Sequence, residues 1–229
     1  MIKKEGLFLH EELTLLALRD DKGTLLSSER YPLAAGGAIL AELLLLRRVK
    51  VADPKKKLLH MTDIRPVGDP VIDECLKKMR EAKRRASIKN WVRRFAQVKR
   101  LNHRVAEQLC RRRILRADEE KILRIFTRKI YPEIDPKPEQ EIIERLRAAI
   151  FSKDREVDPR TTVLLSLAHH TRLLEKIFDK KELKERKERI KQIIAGEMVG
   201  RAATEVREAM AAAVMITCIM PAVISSGGK

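Results

Sequence analysis

The sequence contains little of what several classes of protein depend on. Aromatic residues make up 3% of its 229 residues, which argues against a platform for single-stranded nucleic acid, because such platforms stack bases on aromatic rings. The three cysteines, at positions 75, 110 and 218, are far apart and form no CxxC pair, so no disulfide framework is expected. Acids near position 11 interrupt the first apolar run before it reaches the length of a signal peptide. These absences predict a cytoplasmic protein.

Motifs of catalysis and metal binding are also missing. The sequence contains no GxGxxG, GxxxxGKS/T, GxSxG or HExxH. His169 and His170 are adjacent, and consecutive helical residues point about 100° apart, so the two cannot easily share a metal ion. Glu11 and Glu12 lie beside leucines, where a solvated face or a helix-end position is the simple interpretation. We predict a protein that is not an enzyme and has no metal site and no cofactor.

Helix-forming residues are abundant, and they predict a mainly α fold. Hydrophobic residues at 44% suffice for a packed core, and neither a repeat nor a low-complexity linker divides the chain. We therefore expect one helical domain, 1–229, around a central helix at 34–48 that is apolar nearly all round. Further helices are expected at 69–83, 88–95, 98–110, 139–151, 161–178 and 180–194.

Two regions depart from this helical pattern. Residues 49–51 and 58–61 flank a turn and predict a short hairpin, and 122–135 is β-rich and bounded by prolines, which predicts a projecting hairpin. The C-terminal apolar helix is expected at about 205–224. A spanning helix needs roughly 20 strongly apolar residues. This one is rich in alanine and contains Pro221, so we expect a buried core helix, with a membrane anchor as the alternative.

Positive charge is concentrated in one segment, residues 77–116. It contains sixteen lysines and arginines against two acids, Glu81 and Glu107, a net charge of +14 out of +17 for the whole chain. A solvated helix normally alternates the signs of its charges, as 180–189 does. Apolar stripes indicate that these basic residues lie on the outer faces of folded helices. The sequence therefore predicts a surface that attracts polyanions. The residues expected on this surface include Arg84, Arg85, Arg93, Arg94, Arg111 and Arg112.

Several segments, taken in order, resemble the Golgi phosphoprotein 3 family. These are LHEELTLLALRDDKGTL at 9–25, AILAELLLLRRVKV at 38–51, GDPVIDECLK at 68–77, Asn90-Trp91, and DPRTTVLLSLAHHTRLLEKIF at 158–178. The resemblance implies a helical domain with a projecting β-hairpin, and a peripheral membrane protein that binds phosphatidylinositol 4-phosphate. Eukaryotic members also bind cytosolic tails of Golgi glycosyltransferases. The N-terminal extension of the eukaryotic members is missing here, which suits a prokaryotic or a divergent member.

The resemblance also implies where a lipid headgroup would bind. The family uses a Trp and an Arg before the central helix, which fall at Ser27 and Gly36 here, with Arg30 near enough to substitute. Its two later arginines fall at Lys99 and Asn102. The expected headgroup site is therefore Arg30, Lys99, Arg100 and Arg104. In the family the hairpin contributes to self-association, which implies an oligomer through Ile125, Phe126, Ile130 and Tyr131, unless these residues pack on their own domain.

The leading hypothesis is a peripheral membrane protein that docks on anionic lipid through this basic surface, at the Golgi membrane if the source is eukaryotic. A protein-interaction adaptor is one alternative. A nucleic-acid-binding protein is another, and it is disfavoured because no helix presents Asn, Gln and Arg for base edges.

Overall fold

The computed structural model describes residues 6–19, 23–25, 30–53, 55–122, 126–199 and 204–219, and it confirms the predicted mainly α fold. The described helices are α1 (Leu9–Ala17), α2 (Arg30–Leu45), α3 (Pro70–Arg80), α4 (Ile88–Ala96), α5 (Leu101–Arg111), α6 (Lys137–Phe151), α7 (Pro159–His170), α8 (Leu174–Ile177), α9 (Lys180–Glu185), α10 (Lys187–Ala195) and α11 (Thr204–Ile219). The domain bounds 1–229 remain a prediction.

The described strands form three two-stranded antiparallel pairs. They are β1 (Leu18–Arg19) with β2 (Thr24–Leu25), β3 (Val49–Asp53) with β4 (Leu58–Met61), and β5 (Asp118–Ile122) with β6 (Phe126–Ile130). The second pair is the short hairpin that the sequence predicted. The third is the projecting hairpin.

Helix α2 lies at the centre of the core, as its apolar composition predicted. It packs against α1, α4, α7 and α11, and every residue from Ala34 to Leu44 is buried. Its small residues allow a close approach to α4. A Cβ atom on Gly36 would lie 2.5 Å from the carbonyl oxygen of Val92 and 2.8 Å from the nitrogen of Ala96. The side chain at 36 is therefore limited to hydrogen.

Helix α11 is a core helix over the part that the structure describes. Ala209, Ala212 and Ala213 are buried, and α11 packs against α2, α4 and α7. The predicted end of this helix near 224 falls in 220–229, outside the described residues. Among the described residues, no helix has both the length and the apolar character that crossing a membrane requires.

Three predicted elements have the wrong bounds. The helix predicted at 180–194 is divided at Arg186 into α9 and α10. The helix predicted at 161–178 is interrupted at 171–173, because Arg172 adopts a left-handed conformation with φ 61° and ends α7. The projecting hairpin begins at Asp118 and ends at Ile130 instead of spanning 122–135. Its first strand, DEEKI, carries no apolar alternation. Charges opposite each other stabilise the pair instead, with Glu119 across from Lys129 and Glu120 across from Arg128.

Three of the described helices end in the same way, with an arginine in the left-handed conformation that glycine usually adopts there. These residues are Arg47 after α2, Arg113 after α5 and Arg172 after α7, with φ of 54°, 61° and 61°. In each case the next residue donates its amide to a carbonyl five residues back, as Arg48 does to Leu43. This is the Schellman motif, and it satisfies carbonyls that the helix end leaves free.

Candidate functional site

Helix α4 carries the middle of the basic segment and presents it outward. Ser87 caps the helix by accepting the amide hydrogen of Asn90 at 3.4 Å. Ile88, Trp91, Val92 and Phe95 are buried against the core. On the opposite side of the helix Asn90, Arg93 and Arg94 are exposed.

Fewer than half of the sixteen basic residues between 77 and 116 have an acidic partner. Six lie within 4 Å of a carboxylate: Lys77 with Glu81, Lys78 and Arg104 with Glu74, Arg100 with Glu107, Arg112 with Glu11, and Arg116 with Asp118. The other ten form no ion pair with any described residue. They are Arg80, Lys83, Arg84, Arg85, Lys89, Arg93, Arg94, Lys99, Arg111 and Arg113. We call these ten residues the open basic face.

Helix α5 is held to the core by a row of polar side chains four residues apart. Arg104 binds Glu74 of α3, Gln108 donates to Asp69 at 2.6 Å, and Arg112 lies 3.1 Å from Glu11. These three side chains share one face of α5. Two residues predicted to bind anions, Arg104 and Arg112, thus already have carboxylate partners, which the sequence did not indicate.

Three of the predicted headgroup residues lie together at the turn between α4 and α5. Lys99 and Arg100 are exposed, and Arg100 begins α5 in a left-handed conformation with φ 55°. Arg100 lies 3.8 Å from Glu107, an exposed pair that contributes little. Arg104 follows one turn later. The fourth residue, Arg30, opens α2, and its side chain lies outside the described part of the structure.

Positions that the family resemblance pairs with the headgroup site fall partly in the interior. Gly36 faces the backbone of α4 and has no room for a side chain. Asn102 is half-buried, and Ser27 lies outside the described residues. Trp91, the only tryptophan of the chain, is buried with the guanidinium of Arg94 over its ring, 4.7 Å from the ring centroid. Trp91 is therefore not available as a membrane anchor.

The residues predicted for self-association have different environments. Tyr131 is fully buried in its own chain, with its hydroxyl 2.9 Å from Nδ1 of His103, and burial raises its pKa to about 12. Ile130 is half-buried. Phe126 is 64% exposed at the end of the hairpin. Ile125 lies outside the described residues. Of the three that are described, only Phe126 is largely exposed to a partner.

A group of lysines extends the open basic face in a way that the sequence analysis missed. Lys55, Lys56 and Lys57 form the exposed turn between β3 and β4. The amide of Ile88 donates to the carbonyl of Lys57 at 3.1 Å, and the amide of Leu59 donates to that of Ala86 at 3.0 Å. These bonds bring the turn beside residues 83–85. The run of three lysines is visible in the sequence, but the backbone hydrogen bonds that bring it close to residues 83–85 are not.

A second set of ionisable side chains is buried in the core. His10, Glu11, Glu12, Glu42 and Asp69 are each at most 4% exposed. The interpretation of Glu11 and Glu12 as a solvated face was wrong. The helix-end interpretation holds for Glu11, whose carboxylate accepts the amide hydrogen of Phe8 at 2.9 Å.

Arginines from distant parts of the chain neutralise these carboxylates. Arg160 of α7 donates to Glu42 at 3.0 Å and to the carbonyl of Leu7 at 2.6 Å. Glu42 also accepts the amide hydrogen of Leu9 at 2.9 Å. Arg145 of α6 lies 3.1 Å from Glu12. This buried charge cluster therefore joins α1, α2, α6 and α7.

Environment moves the pKa values of two cluster members in opposite directions. Burial raises the pKa of Glu11 above its ordinary value, although nearby His10 and Arg112 act against it. Burial alone would also raise the pKa of Asp69. The nearby His10, 3.3 Å away, and hydrogen bonds from the amide of Ile72 and from Gln108 outweigh that effect and hold the pKa of Asp69 below its usual range. Asp69 also caps α3 through the amides of Val71 and Ile72, so its charge serves the fold.

Among the described residues, no group of three His, Cys, Asp or Glu side chains is arranged to hold a metal ion. The described residues thus include ten cations without an acidic partner among them and, in the interior, a separate set of paired charges. The open basic face can bind phosphate or carboxylate groups.

Comparison with known proteins is consistent with the resemblance noted in the sequence. The chain is 25% identical over 209 residues to the vacuolar protein sorting-associated protein 74 of Eremothecium gossypii, covering 77% of this chain. The chain spans 62% of that relative's length. This relative gives no support to a prokaryotic source. The sequence model of the family described as Golgi phosphoprotein 3 (GPP34) matches residues 9–213, nearly the whole chain. This chain therefore belongs to the Golgi phosphoprotein 3 family.

Proposed function

We propose that this chain is a non-enzymatic peripheral membrane protein that binds anionic lipid headgroups, phosphatidylinositol 4-phosphate among them. The observation that carries the proposal is the open basic face, ten cations on one 40-residue segment without an acidic partner among the described residues. Charges of one sign repel each other, and a bound polyanion relieves that repulsion. Membership of the Golgi phosphoprotein 3 family supports a phosphoinositide as that polyanion.

The headgroup binds at the turn between α4 and α5 in this proposal. Lys99 and Arg100 make the direct contacts, because both are exposed and Arg100 has only a distant partner in Glu107. The planar fork of an arginine suits a phosphate. Arg104 joins them by exchanging Glu74 for the phosphate, and Arg30 completes the site. Arg84, Arg85, Arg93, Arg94 and Arg111 then face the lipid surface around the headgroup.

The strength of such docking is that of a reversible contact. Each basic residue close to an anionic bilayer is worth about 1 kcal/mol, so six engaged residues supply about 6 kcal/mol. The contact weakens as salt concentration rises, since the charges are exposed. The docking is therefore transient.

Co-sedimentation with vesicles tests the proposal. Vesicles containing phosphatidylinositol 4-phosphate are compared at physiological salt with phosphatidylserine vesicles of equal total charge. We expect tighter binding to the phosphoinositide, and a loss of roughly 30-fold in that binding for Lys99→Ala with Arg100→Ala, at about 1 kcal/mol per residue. Lys153→Ala with Arg155→Ala is the matched control, because both residues are exposed and lie outside the face.

The other outcomes separate the alternatives. Equal binding to both vesicles would leave a charge-driven membrane surface without headgroup selectivity. An unchanged Lys99→Ala, Arg100→Ala variant would place the headgroup elsewhere. Binding to neither vesicle would contradict the proposal and direct attention to protein or nucleic-acid partners.

The same proposal gives the protein a cytoplasmic location with peripheral attachment to a membrane, the Golgi membrane in a eukaryotic source. Cytosolic tails of membrane proteins are its proposed protein partners.

Self-association is proposed to proceed through the hairpin of β5 and β6. Its support is Phe126, a large apolar side chain that is 64% exposed. Light scattering of Phe126→Glu is the test, since this change leaves the buried Tyr131 intact. A wild-type mass above one chain that falls to one chain in the variant is expected. An equal mass for the two proteins would exclude the hairpin end as the contact.

A further inference from the structure

A cavity of about 440 Å³ lies between the end of α7 and the helices α8, α9 and α10. Its volume falls within the range of sites that hold small molecules, roughly 300–1,000 Å³. It is lined by residues between His169 and Lys191, outside the basic segment described above and outside the buried charge cluster. It is therefore a separate feature of the molecule.

The floor of the cavity is apolar. Leu174 and Ile190 are buried and Leu183 is half-buried, and all three line the space. Leu183 of α9 and Ile190 of α10 come from two successive helices and meet at this space. An occupant that covered this floor would remove apolar surface from water.

The rim of the cavity is cationic. Lys180, Lys184, Lys187 and Lys191 line it together with Arg172. All four lysines line the same space as Leu183 and Ile190. Five cationic residues thus surround three apolar ones.

The fold separates charges that alternate along the sequence. Of the acids on α9 and α10, Glu182, Glu185 and Glu188 are not among the residues that line the cavity. Glu175 is the acid that does line it. Glu188 lies 2.8 Å from Lys191, and so neutralises one lysine of the rim. Three lysines and Arg172 keep a surplus of positive charge at the opening.

The remaining polar group at the opening is His169, in the last turn of α7. Burial lowers its pKa, with Glu175 acting in the opposite direction. A neutral imidazole can donate or accept a hydrogen bond at the opening.

We propose that this cavity binds an anionic amphiphile, a molecule with one short apolar chain that ends in a carboxylate or a phosphate. The chain covers Leu174, Leu183 and Ile190, and the anionic group lies among Lys180, Lys184 and Lys187. Charge complementarity selects this class over a neutral or cationic amphiphile. The apolar floor selects it over a bare inositol phosphate, which has no surface to place there.

Calorimetric titration of the full chain with three probes of equal chain length tests the proposal. The probes are decanoate, decyl phosphate and decyltrimethylammonium, each below its micelle concentration. We expect one decanoate and one decyl phosphate per chain, and at least tenfold weaker binding of the cation. The stronger of the two anions identifies the natural group as carboxylate or phosphate. Equal binding of the cation would overturn the proposal.

Two double variants with equal charge changes locate the site. Lys184→Glu with Lys187→Glu changes the rim, and we expect at least a tenfold loss in decanoate affinity. Lys176→Glu with Lys181→Glu changes two exposed lysines outside the cavity, and we expect less than a twofold loss. Circular dichroism checks that both variants fold, and Lys184→Gln with Lys187→Gln gives a milder change at the rim. An equal loss in the rim and outside variants would contradict a local site.

Methyl resonances provide a second measurement that does not depend on the variants. Decanoate is expected to shift the signals of Ile190, Leu174 and Leu183 before those of other methyl groups. Shifts confined to other parts of the molecule would exclude the cavity.

The result is independent of the proposed membrane function. The rim variant is expected to retain its binding to phosphoinositide vesicles, and Lys99→Ala with Arg100→Ala is expected to retain decanoate binding. Loss of both activities in both variants would mean that total charge governs the two, and the cavity would then not be a specific site.

Discussion

The buried charge cluster and the open basic face differ in whether their charged side chains have a partner of opposite sign among the described residues. In the cluster, Glu12 and Glu42 are nearly inaccessible and are met by arginines from helices more than 100 positions away in the sequence. On the face, ten cations have no acidic partner among the described residues. The difference separates two uses of charge. Paired charges in the interior fix how helices sit together, and unpaired charges outside remain available to a partner.

The largest loss of stability is expected when the pairing in the buried charge cluster is disrupted at Arg160. Changing Arg160→Leu leaves Glu42 and Glu12 buried with less compensation, and removing one partner of a buried pair costs about 3–5 kcal/mol. We expect the free energy of unfolding in urea to fall by that amount. Arg155→Leu, at an exposed position, is the control and should change it by less than about 0.5 kcal/mol. A loss below 1 kcal/mol at Arg160 would mean that the cluster does not hold the helices together.

A second change tests the close contact between Gly36 of α2 and the backbone of α4. Gly36→Ala would place a methyl group within 3 Å of the α4 backbone, and overpacking of this kind costs about 1–3 kcal/mol. We expect both the unfolding free energy and vesicle binding to fall, because α4 presents Lys89 and Arg93. Gly6→Ala is the control, since its new methyl group would meet nothing within 4 Å. Normal stability in Gly36→Ala would show that α4 can shift at no cost.

A third change uses pH. The pKa of Asp69 is lower in the folded protein, so Asp69 stabilises the fold above its unfolded pKa of about 3.9, and this contribution is lost as pH falls through the folded value. Asp69→Asn keeps an N-cap but loses the charge beside His10, which we expect to cost about 1.5 kcal/mol at pH 7. The difference in stability between Asp69→Asn and the wild-type protein should become smaller below about pH 4. Thermal unfolding across pH measures it, and a constant difference would exclude Asp69 as its source.

The smallest effect on stability is expected on the open basic face. Arg84→Ala, Arg85→Ala, Lys89→Ala and Arg93→Ala should each change the unfolding free energy by less than about 0.5 kcal/mol. The four changes together should weaken vesicle binding, and a higher salt concentration should also weaken vesicle binding by the wild-type protein. Urea unfolding measures the stability of each variant, and co-sedimentation of the same samples with vesicles measures its binding. Substantial destabilisation without loss of binding would assign these residues to the fold.

Sequence patterns were sufficient where local periodicity decides structure. The central helix, the short hairpin after it and the outward position of the basic residues on α4 all follow from runs of a few apolar residues. Long-range pairing was not visible in that way. Glu11 and Glu12 occupy a helix end rich in leucine, and nothing nearby in the sequence indicates that Arg112 and Arg145 meet them.

The site was predicted in part for the same reason. The concentration of charge at 77–116 is a local property, and the sequence shows it directly. Arg104 and Arg112 are paired with acids, whereas Lys99 and Arg93 have no acidic partner among the described residues, and this difference depends on where α1 and α3 pack. The separation of lysines from acids around the α9–α10 cavity also needs three dimensions, because along the sequence those charges simply alternate.

The arginines that end α2, α5 and α7 indicate where this protein can be made more stable. A left-handed arginine carries strain that glycine avoids, and after the larger unfolded-state entropy of glycine is subtracted the net gain from replacement is roughly 0.5 to 1 kcal/mol. Arg47 lies 3.0 Å from Glu205, and Arg172 lines the cavity, so both have contacts to lose. Arg113 forms no ion pair with a described residue. Arg113→Gly is therefore the first replacement to make for a more stable variant, and because Arg113 belongs to the open basic face, its removal would separate a gain in stability from a loss in vesicle binding.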